Sequence, residues 1–562
     1  MNGNESMLPD GTVQTAVTQK REARPCEVAF AWIAIVAAYL WCRLTPASTR
    51  PLGAFLMTLA LFIAGGVFLA LSGARQNRRS IPCAASTLIL SLSFILSSNG
   101  FIHFLTLAWV LCCFMLWVLL SYGGGLEKYP GDLLFYDTVK AVFVMPFASF
   151  GAIFSSLLPT RTKDDDGARR RGGKQVGFAV IGLLIAVIPT AVVILLLSYD
   201  KNFSEIGSKL FKFISGDILD RLLALLFAVP VAAYGFGAFI SGIDRKHEKY
   251  MSADACRKFS GTVKFAPEVM ACFAMLPLLT VYAVFFVSQW NYYVSAFSGK
   301  LPEGIDIYSQ YARDGFGELC AVSGINAAVM ITVSVFTRRR QPDRHSPATR
   351  VFIGLLSVST LILIATAISK MVLYIRAYGL TRLRVYASWF MILLAAGFLI
   401  MLIKQIIPKT NAVCAMLAAF ILLFGVLALS DPDRQIARYN VDRYIEGTLF
   451  LPDKDGIDRL VDECGDSAIP ETVRLYTALE GRSDAENTRN AIRSTLSGWL
   501  KKDKAEGTDI LRTTLPKLLA RRAIGTVPEI SDTSAGKNKK QAQKNKIFTF
   551  IRLKSASLIG II

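Results

Sequence analysis

Charged residues are scarce in this chain, and their scarcity excludes a soluble protein. Only 19% of its 562 residues are aspartate, glutamate, lysine or arginine, whereas soluble domains contain about one quarter. Histidine occurs three times, and none of the ten cysteines forms a CxxC motif or has a histidine nearby. The sequence therefore predicts no metal site, and its cysteines are expected to be small core residues rather than disulfides.

Acidic residues are also outnumbered, 42 against 62 lysines and arginines, which gives a net charge of +20. On a soluble chain this excess would suggest nucleic acid. Here the basic residues lie in connectors beside apolar segments, where retention in the cytoplasm and anionic lipid headgroups explain them. We therefore expect no nucleic-acid partner. No catalytic motif occurs, and no cofactor is expected.

Long apolar segments are what the chain has instead, with 53% hydrophobic residues. A helix needs about 20 apolar residues to cross roughly 30 Å of hydrocarbon, and its backbone polar groups pair internally. We predict an all-α fold, a polytopic transmembrane helix bundle of about 11 spans with a small helical C-terminal domain. The predicted spans are 28–42, 51–74, 81–98, 101–122, 176–198, 222–242, 269–290, 319–336, 351–369, 385–403 and 412–429.

The charges of the connectors predict an orientation, because lysine and arginine favour the cytoplasmic side of short loops. If 141–158 does not cross the membrane, one side has 27 of these residues and the other 12. If it crosses, the numbers become 18 and 21, which indicates no preference. Pro146 and nearby charges also allow an amphipathic surface helix there. Eleven spans is the better account, with a cytoplasmic N-terminus and an extracytoplasmic C-terminal domain in the cell membrane.

Four regions follow from this pattern. Residues 1–27 form a polar N-terminal tail, 28–429 the transmembrane bundle, and 430–524 a small helical domain outside the membrane, with apolar residues at helical spacing among charges. Residues 525–562 form a basic tail. It is expected to be disordered, with anchoring on anionic lipid as the alternative.

Polar residues inside a membrane are costly and often functional. The densest group begins at Tyr308 and Tyr311, and on a helix Asp314, Glu318 and Asn326 would share one face. This pattern predicts a polar seam between helices. Three glycines would let another backbone approach closely: Gly315, Gly317 and Gly324. The alternative is that Arg313 pairs with a neighbouring acid and pins the helix at the interface.

A second polar group lies between residues 370 and 384, and Asp200 ends a span. An odd number of spans brings these groups to the face that carries the C-terminal domain. Three arginines would then face three acids across one vestibule. The candidate vestibule residues are Asp200, Tyr308, Tyr311, Arg313, Asp314, Glu318, Asn326, Arg376, Tyr378 and Arg382.

These stretches carry a family resemblance. The sequences YSQYARDGF at 308–316, YGLTRLR at 378–384 and LLLSYDKNF at 195–203 resemble signature blocks of a bacterial integral-membrane family, the domain of unknown function four-one-seven-three, and of its sibling four-one-five-three. A tail block, DSAIP at 466–470, is matched more loosely. The resemblance implies a polytopic bacterial membrane protein and no particular activity.

Three functions remain open, and the sequence favours the non-enzymatic one. That function is a sensor or assembly factor of the envelope, which binds membrane lipid or a protein partner through its C-terminal domain. A transporter or permease for a small or anionic solute is the alternative, although no inverted repeat is visible. A lipid-linked transferase fits least, because the first outer loop, 43–50, contains no acid that could activate an acceptor.

Overall fold

The computed structural model describes residues 24–44, 50–127, 131–157, 216–288, 308–338, 345–449, 453–482, 485–507 and 509–530. The regular elements of these ranges are all helical, and one isolated bridge pairs Ala266 with Thr337. The helices of the membrane part are α1 (Pro25–Leu44), α2 (Pro51–Leu71), α3 (Ser80–Ser91), α4 (Ser93–Leu96), α5 (Gly100–Ser121), α6 (Leu134–Val139), α7 (Met145–Ala148), α8 (Ala152–Leu157), α9 (Gly216–Asp244), α10 (Lys246–Tyr250), α11 (Ala253–Val263), α12 (Glu268–Ser288), α13 (Tyr308–Phe336), α14 (Pro347–Tyr378), α15 (Arg382–Ile406) and α16 (Ala412–Leu429). The C-terminal helices are α17 (Pro432–Ile445), α18 (Asp453–Cys464), α19 (Ile469–Ala478), α20 (Glu486–Glu506) and α21 (Leu515–Gly525).

Nine of the described helices are long and apolar enough to cross a membrane, namely α1, α2, α5, α9 and α12 to α16. They confirm the predicted all-α polytopic bundle and correspond to nine of the eleven predicted spans. The fifth predicted span, 176–198, lies outside the described residues. So do Asp200, residues 1–23 of the N-terminal tail and residues 531–562 of the basic tail.

The third predicted span is shorter than expected and is interrupted. Helix α3 ends at Ser91, and α4 adds only four residues after Leu92. The 17 residues from Ser80 to Leu96 cover about 26 Å at 1.5 Å per residue, less than the roughly 30 Å of a hydrocarbon core. The Ser91 hydroxyl donates to the Leu88 carbonyl at 2.8 Å, a local bond that competes with regular helix.

The segment 141–158, for which the sequence allows either a span or a surface helix, lies along α9. Helix α6, a π-helical turn at Lys140–Val144 and α7 form one unbroken helical stretch, 134–148, and a turn at 149–151 separates it from α8. Tyr234 of α9 donates to the Val142 carbonyl at 2.7 Å, and a Cβ added to Gly237 would lie 2.5 Å from the Pro146 carbonyl oxygen. The segment therefore consists of two short helical pieces packed against a spanning helix, and not one continuous helix.

Two hydrophobic clusters divide the bundle. In the first, Phe30 of α1 stacks on Phe68 of α2 with ring centroids 3.9 Å apart and meets Phe239 of α9 edge-on at 5.1 Å. In the second, α12 to α15 pack around buried residues such as Ile364 and Phe398. Helix α16 packs against both α3 and α15 and thereby connects the two groups.

The C-terminal helices enclose a core of their own. Ile436, Ile457, Ile469 and Leu496 are buried in it. Leu380, in the connector between α14 and α15, packs against the same core. The hydrophobic core of the C-terminal part therefore reaches the end of the transmembrane bundle.

The connectors contact one another in two sets at opposite ends of the helices. In one set, Arg50 before α2 forms a salt bridge with Asp509 of the C-terminal part at 3.4 Å. In the other set, Lys140 donates to the Gly124 carbonyl at 3.1 Å, and a Cβ added to Gly124 would lie 2.9 Å from His247 Nε2. Because α9 ends beside this glycine, it runs toward the same face as the end of α5.

Candidate functional site

Three helix starts meet where the bundle contacts the C-terminal domain. Helix α5 begins after Asn99, α15 begins at Arg382, and α17 has Asp433 in its first turn. The unpaired N–H groups and the dipole at a helix start favour a carboxylate. We refer to the polar residues that join the two parts here as the junction: Asn99, Arg382, Asp431, Asp433, Asn440, Glu463 and Ser467.

Asp433 lies at the centre of the junction and is fully buried. Arg382 donates from Nε to Asp433 Oδ1 at 2.8 Å and from Nη2 to Oδ2 at 2.7 Å. Asn99 donates from Nδ2 to Oδ2 at 2.9 Å. A buried carboxylate is tolerated only when its charge and lone pairs are satisfied, and a two-point arginine contact supplies both. This ion pair therefore joins α15 to α17.

Asn99 uses both ends of its side-chain amide. Its Oδ1 accepts from the backbone N–H groups of Phe101 at 3.0 Å and Ile102 at 3.3 Å, which caps α5. Its Nδ2 donates to Asp433. One residue thus caps the start of a transmembrane helix and binds the C-terminal domain.

The connector after α14 makes a second contact with the domain. Asn440 of α17 accepts from Leu380 N–H at 2.7 Å and donates to the Leu380 carbonyl at 2.8 Å. Arg382 N–H donates to Glu463 Oε1 at 2.6 Å. Gly379 has a φ of +77°, and a Cβ there would lie 2.6 Å from Asn440 Oδ1. Only glycine allows this close approach without strain.

Asp431 turns the chain from the last span into the domain. It has a φ of +48°, a left-handed conformation that aspartate tolerates better than most residues. Its Oδ1 accepts from the Ser467 hydroxyl at 2.9 Å, and Ser467 lies 3.4 Å from the Ser98 hydroxyl. Burial raises the pKa of Asp431 to about 6, and the hydrogen bond from Ser467 opposes that shift.

The central carboxylate of the junction, Asp433, joins the C-terminal domain to the bundle and is not accessible to a substrate. Both carboxylate oxygens of Asp433 accept charge-assisted or amide hydrogen bonds, and no solvent reaches them. A reactive group has to reach its substrate. In the described ranges there is likewise no group of three or more histidine, cysteine, aspartate or glutamate residues that could hold a metal ion.

The predicted vestibule is only partly described. The side chains of four of its residues on the first turns of α13 lie outside the described part, as does Asp200, so their role stays a prediction: Tyr308, Tyr311, Arg313 and Asp314. Glu318, Arg376 and Tyr378 are exposed. Arg382 was expected to face Asp200, Asp314 or Glu318, and the partner that the structure shows for it is Asp433. The prediction missed this partner because it lies in the extramembrane domain.

Lys370 occupies the polar seam predicted along α13. Its side chain is buried, with 3% of its surface exposed, and its Nζ fills the space beside Gly315. Glu318 lies close enough to interact with its charge. Among the described residues, no atom lies within 4 Å of a Cβ added at Gly317 or Gly324. The close backbone approach at these two glycines stays a prediction, and a side chain fills the space at Gly315.

Asn326 joins three spans deeper in the bundle. It is fully buried, accepts from Tyr282 of α12 at 2.6 Å and donates to Thr360 of α14 at 2.9 Å. In lipid such a group needs internal partners, and it finds them here. Asn326 therefore holds α12, α13 and α14 together, separately from the junction.

The sequence contained signals for the residues that were missed. Asn99 follows a short serine pair between two apolar segments, which is a favoured position for a helix cap. Asp433 follows Pro432 directly after the last span, and proline at a first helical turn marks a helix start. What sequence could not show is that these two starts lie against each other, 334 positions apart.

The comparisons with known proteins bear on the family and not on the activity. A family model described as a domain of unknown function, DUF4153, matches residues 84–475. The match covers Asn99, Arg382 and Asp433, so both sides of the central contact of the junction lie inside it. No curated protein and no solved structure matches the chain. The chain is an integral membrane protein that belongs to the DUF4153 family, the sibling family in the resemblance described above.

Proposed function

We propose that the protein is a non-enzymatic sensor or assembly factor of a bacterial cell membrane, whose C-terminal domain binds a partner protein or lipid and transmits that binding to the bundle. The supporting observation is the ion pair between half-buried Arg382 and buried Asp433, which links the first turn of α17 to the first turn of α15. A domain that merely followed the last span would need no such contact. Transmission requires a packed contact with alternative arrangements that both sites influence.

The proposed orientation places the junction and the C-terminal domain outside the cytoplasm. It is supported by the excess of basic residues in the connectors at the other face, among them Arg79, Lys140 and Lys409. The N-terminus is then cytoplasmic. The partner would be an envelope protein or a lipid of the outer leaflet.

The proposed coupling can be tested by native mass spectrometry of the full chain extracted with its surrounding lipid. Wild type should retain a protein or lipid that Asp433→Asn loses at least in part, because the variant weakens the contact between domain and bundle. Asp442→Asn is the matched control, since Asp442 pairs with Arg474 on the exposed surface of the same helix. Equal retention by both variants, or no retained species in wild type, would overturn the proposal.

A transporter is the second candidate, and Lys370 is the observation that favours it. The residue lies two turns before the end of α14, buried beside Gly315 and near Glu318. Buried ionisable residues in spans often mark ion or substrate paths. If this alternative holds, native mass spectrometry of wild type should show a bound small anion. Lys370→Met should lose this anion. The control Lys409→Met, which changes an exposed connector residue, should keep it. Retention of the same anion by both variants would exclude this path.

A further inference from the structure

The connector between α9 and α12 presents an apolar and basic surface at the end of the bundle opposite the junction. Within it, α11 turns Cys256 inward to pack with Leu126 and Leu133. The other side of the helix exposes Arg257, Lys258 and Phe259. Helix α11 is therefore amphipathic. Its narrow apolar side packs against the bundle, and its other side, which carries aromatic and basic residues, is exposed.

The exposed aromatic residues of this connector are large and close to the lipid-facing surface. Tyr250, Phe259 and Phe265 expose 68%, 59% and 67% of their surfaces. Just beyond Phe265, α12 exposes Val269 and Phe273 at 63% and 68%, as expected for a span that faces lipid. The apolar surface of the connector therefore continues into the lipid-facing surface of a transmembrane helix.

Basic residues surround these aromatic side chains, and some form no ion pair with the residues that the structure describes. Three bases of the connector are neutralised nearby, in the pairs Arg245–Glu248, Lys246–Asp244 and Lys264–Asp132. Lys249, Arg257 and Lys258 form no ion pair with any part of the chain that the structure describes. Helix α11 also exposes one acid, Asp254, but neither Arg257 nor Lys258 forms an ion pair with it. Net positive charge beside exposed aromatic rings is the pattern of a helix that lies in the interface of an anionic leaflet.

We propose that α11 and its flanking residues form a binding surface for anionic phospholipid. Phe259 and Phe265 enter the boundary between headgroups and acyl chains, and Lys249, Arg257 and Lys258 bind lipid phosphates. The continuity with α12 favours a leaflet over a soluble partner, because the bilayer that surrounds α12 necessarily borders this connector. The surface is independent of the junction and lies at the other end of the helices.

The binding can be measured with the purified full chain in detergent, titrated with short-chain phosphatidylglycerol or phosphatidylcholine. Wild type should bind phosphatidylglycerol more tightly. In the triple variant Lys249→Gln, Arg257→Gln and Lys258→Gln, the Kd for phosphatidylglycerol should rise by about fivefold for each charge removed. Phe259→Ser should weaken the binding of both lipids, since it removes apolar contact and leaves the charge unchanged.

The matched control removes three exposed charges from the C-terminal domain, in the variant Arg482→Gln, Lys501→Gln and Lys502→Gln. Its Kd for phosphatidylglycerol should rise less than that of the α11 variant, because the two sets of charges lie at opposite ends of the bundle. Hydrogen exchange of wild type in nanodiscs provides a second measurement that needs no variant: the amides of α11 should exchange more slowly with phosphatidylglycerol than with phosphatidylcholine. Equal Kd values for both lipids, an unchanged Kd in the first triple variant, or lipid-independent exchange of α11 would overturn the proposal.

Discussion

At the scale of single residues, the contact between bundle and domain depends on Asp433. Its carboxylate is buried and would be unstable there without Arg382 and Asn99, which together satisfy both oxygens. Each partner starts a different helix. A change at this one side chain should therefore affect the stability of the contact more than a change at any surface pair.

Asp433→Asn should lower the free energy of unfolding by about 3 kcal/mol, because it leaves Arg382 without its counter-charge. The loss should not exceed this because Arg382 keeps 30% of its side chain exposed. Unfolding by sodium dodecyl sulfate in mixed micelles measures the difference. The control is Asp442→Asn, where exposed pairs contribute at most about 1 kcal/mol. Equal losses in the two variants would contradict the role assigned to the buried pair.

Asp431 should make stability depend on pH. Its pKa is raised from 3.8 to about 6 by burial, so the folded protein binds this proton more tightly than the unfolded chain. The stability that Asp431 contributes is therefore greatest below about pH 4 and is lost as pH rises through about 6. Wild type should become less stable over this interval by on the order of 2 kcal/mol relative to Asp431→Asn.

Melting temperatures of the two proteins at stepped pH measure this difference. Asparagine is a suitable replacement because it resembles the protonated acid and tolerates the same left-handed conformation. Ser467→Ala removes the hydrogen bond that lowers the pKa of Asp431, so it should move the midpoint to higher pH. A pH profile of Asp431→Asn that coincides with that of wild type would show that another group is responsible.

At the scale of elements, the connector between α14 and α15 shapes the contact through its backbone. Gly379 brings the chain close enough to Asn440 for the two hydrogen bonds at Leu380. The same connector delivers Arg382 to Asp433. Its conformation, rather than its charge alone, determines where the arginine lies.

Gly379→Ala should destabilise the protein by about 3 kcal/mol. Gly379 has φ +77° and ψ −179°, a conformation that costs an alanine about 2 kcal/mol, and the added Cβ would also displace Asn440 from its bonds. Gly507→Ala separates the two effects, because Gly507 has nearly the same conformation, φ +76° and ψ −174°, and no described atom lies within 4 Å of an added Cβ. It should lose only about 2 kcal/mol in the same detergent titration. If Gly507→Ala loses as much as Gly379→Ala, the displacement of Asn440 has no cost.

Apolar length predicted most of the spanning helices and failed where the helix is interrupted or folds back along a neighbour. Charge-free runs of sufficient length predicted nine of the spans. Helix α3 stops at Ser91 although the sequence around it stays uncharged, and its serine bond is no sufficient cause, because Thr58 and Thr360 make the same kind of bond inside unbroken helices. The 141–158 segment is apolar but packs as short helices along α9, which depends on a neighbour that sequence alone does not show.

The site was harder to predict than the fold, because polar partners are chosen by tertiary contact. The sequence predicts a role for Arg382 because it lies beside the membrane, where an unpaired charge is costly. It suggests partners at the ends of neighbouring spans, but Asp433 lies on the first helical turn after the last span. Asn326 was predicted in a polar seam, and the identities of Tyr282 and Thr360 as its partners came only from the structure.

At the scale of the whole molecule, the two ends of the bundle have different characters. One end holds the C-terminal domain through paired charges such as half-buried Arg382 with buried Asp433. The other end exposes the bases of α11, which form no ion pair with described residues, beside aromatic rings. The proposed orientation puts the paired end outside and the basic end in the cytoplasm, where anionic lipid is available to it.

The side on which the C-terminal domain lies is the central claim, and labelling of single cysteines with an impermeant maleimide tests it most directly. In a background without the ten native cysteines, Arg438→Cys places a thiol at a side chain that is 71% exposed on α17, and Lys409→Cys places one in the exposed connector before α16. We predict that intact cells label Arg438→Cys at once and Lys409→Cys only after permeabilisation. Labelling of Lys409→Cys in intact cells, with Arg438→Cys protected, would contradict the account.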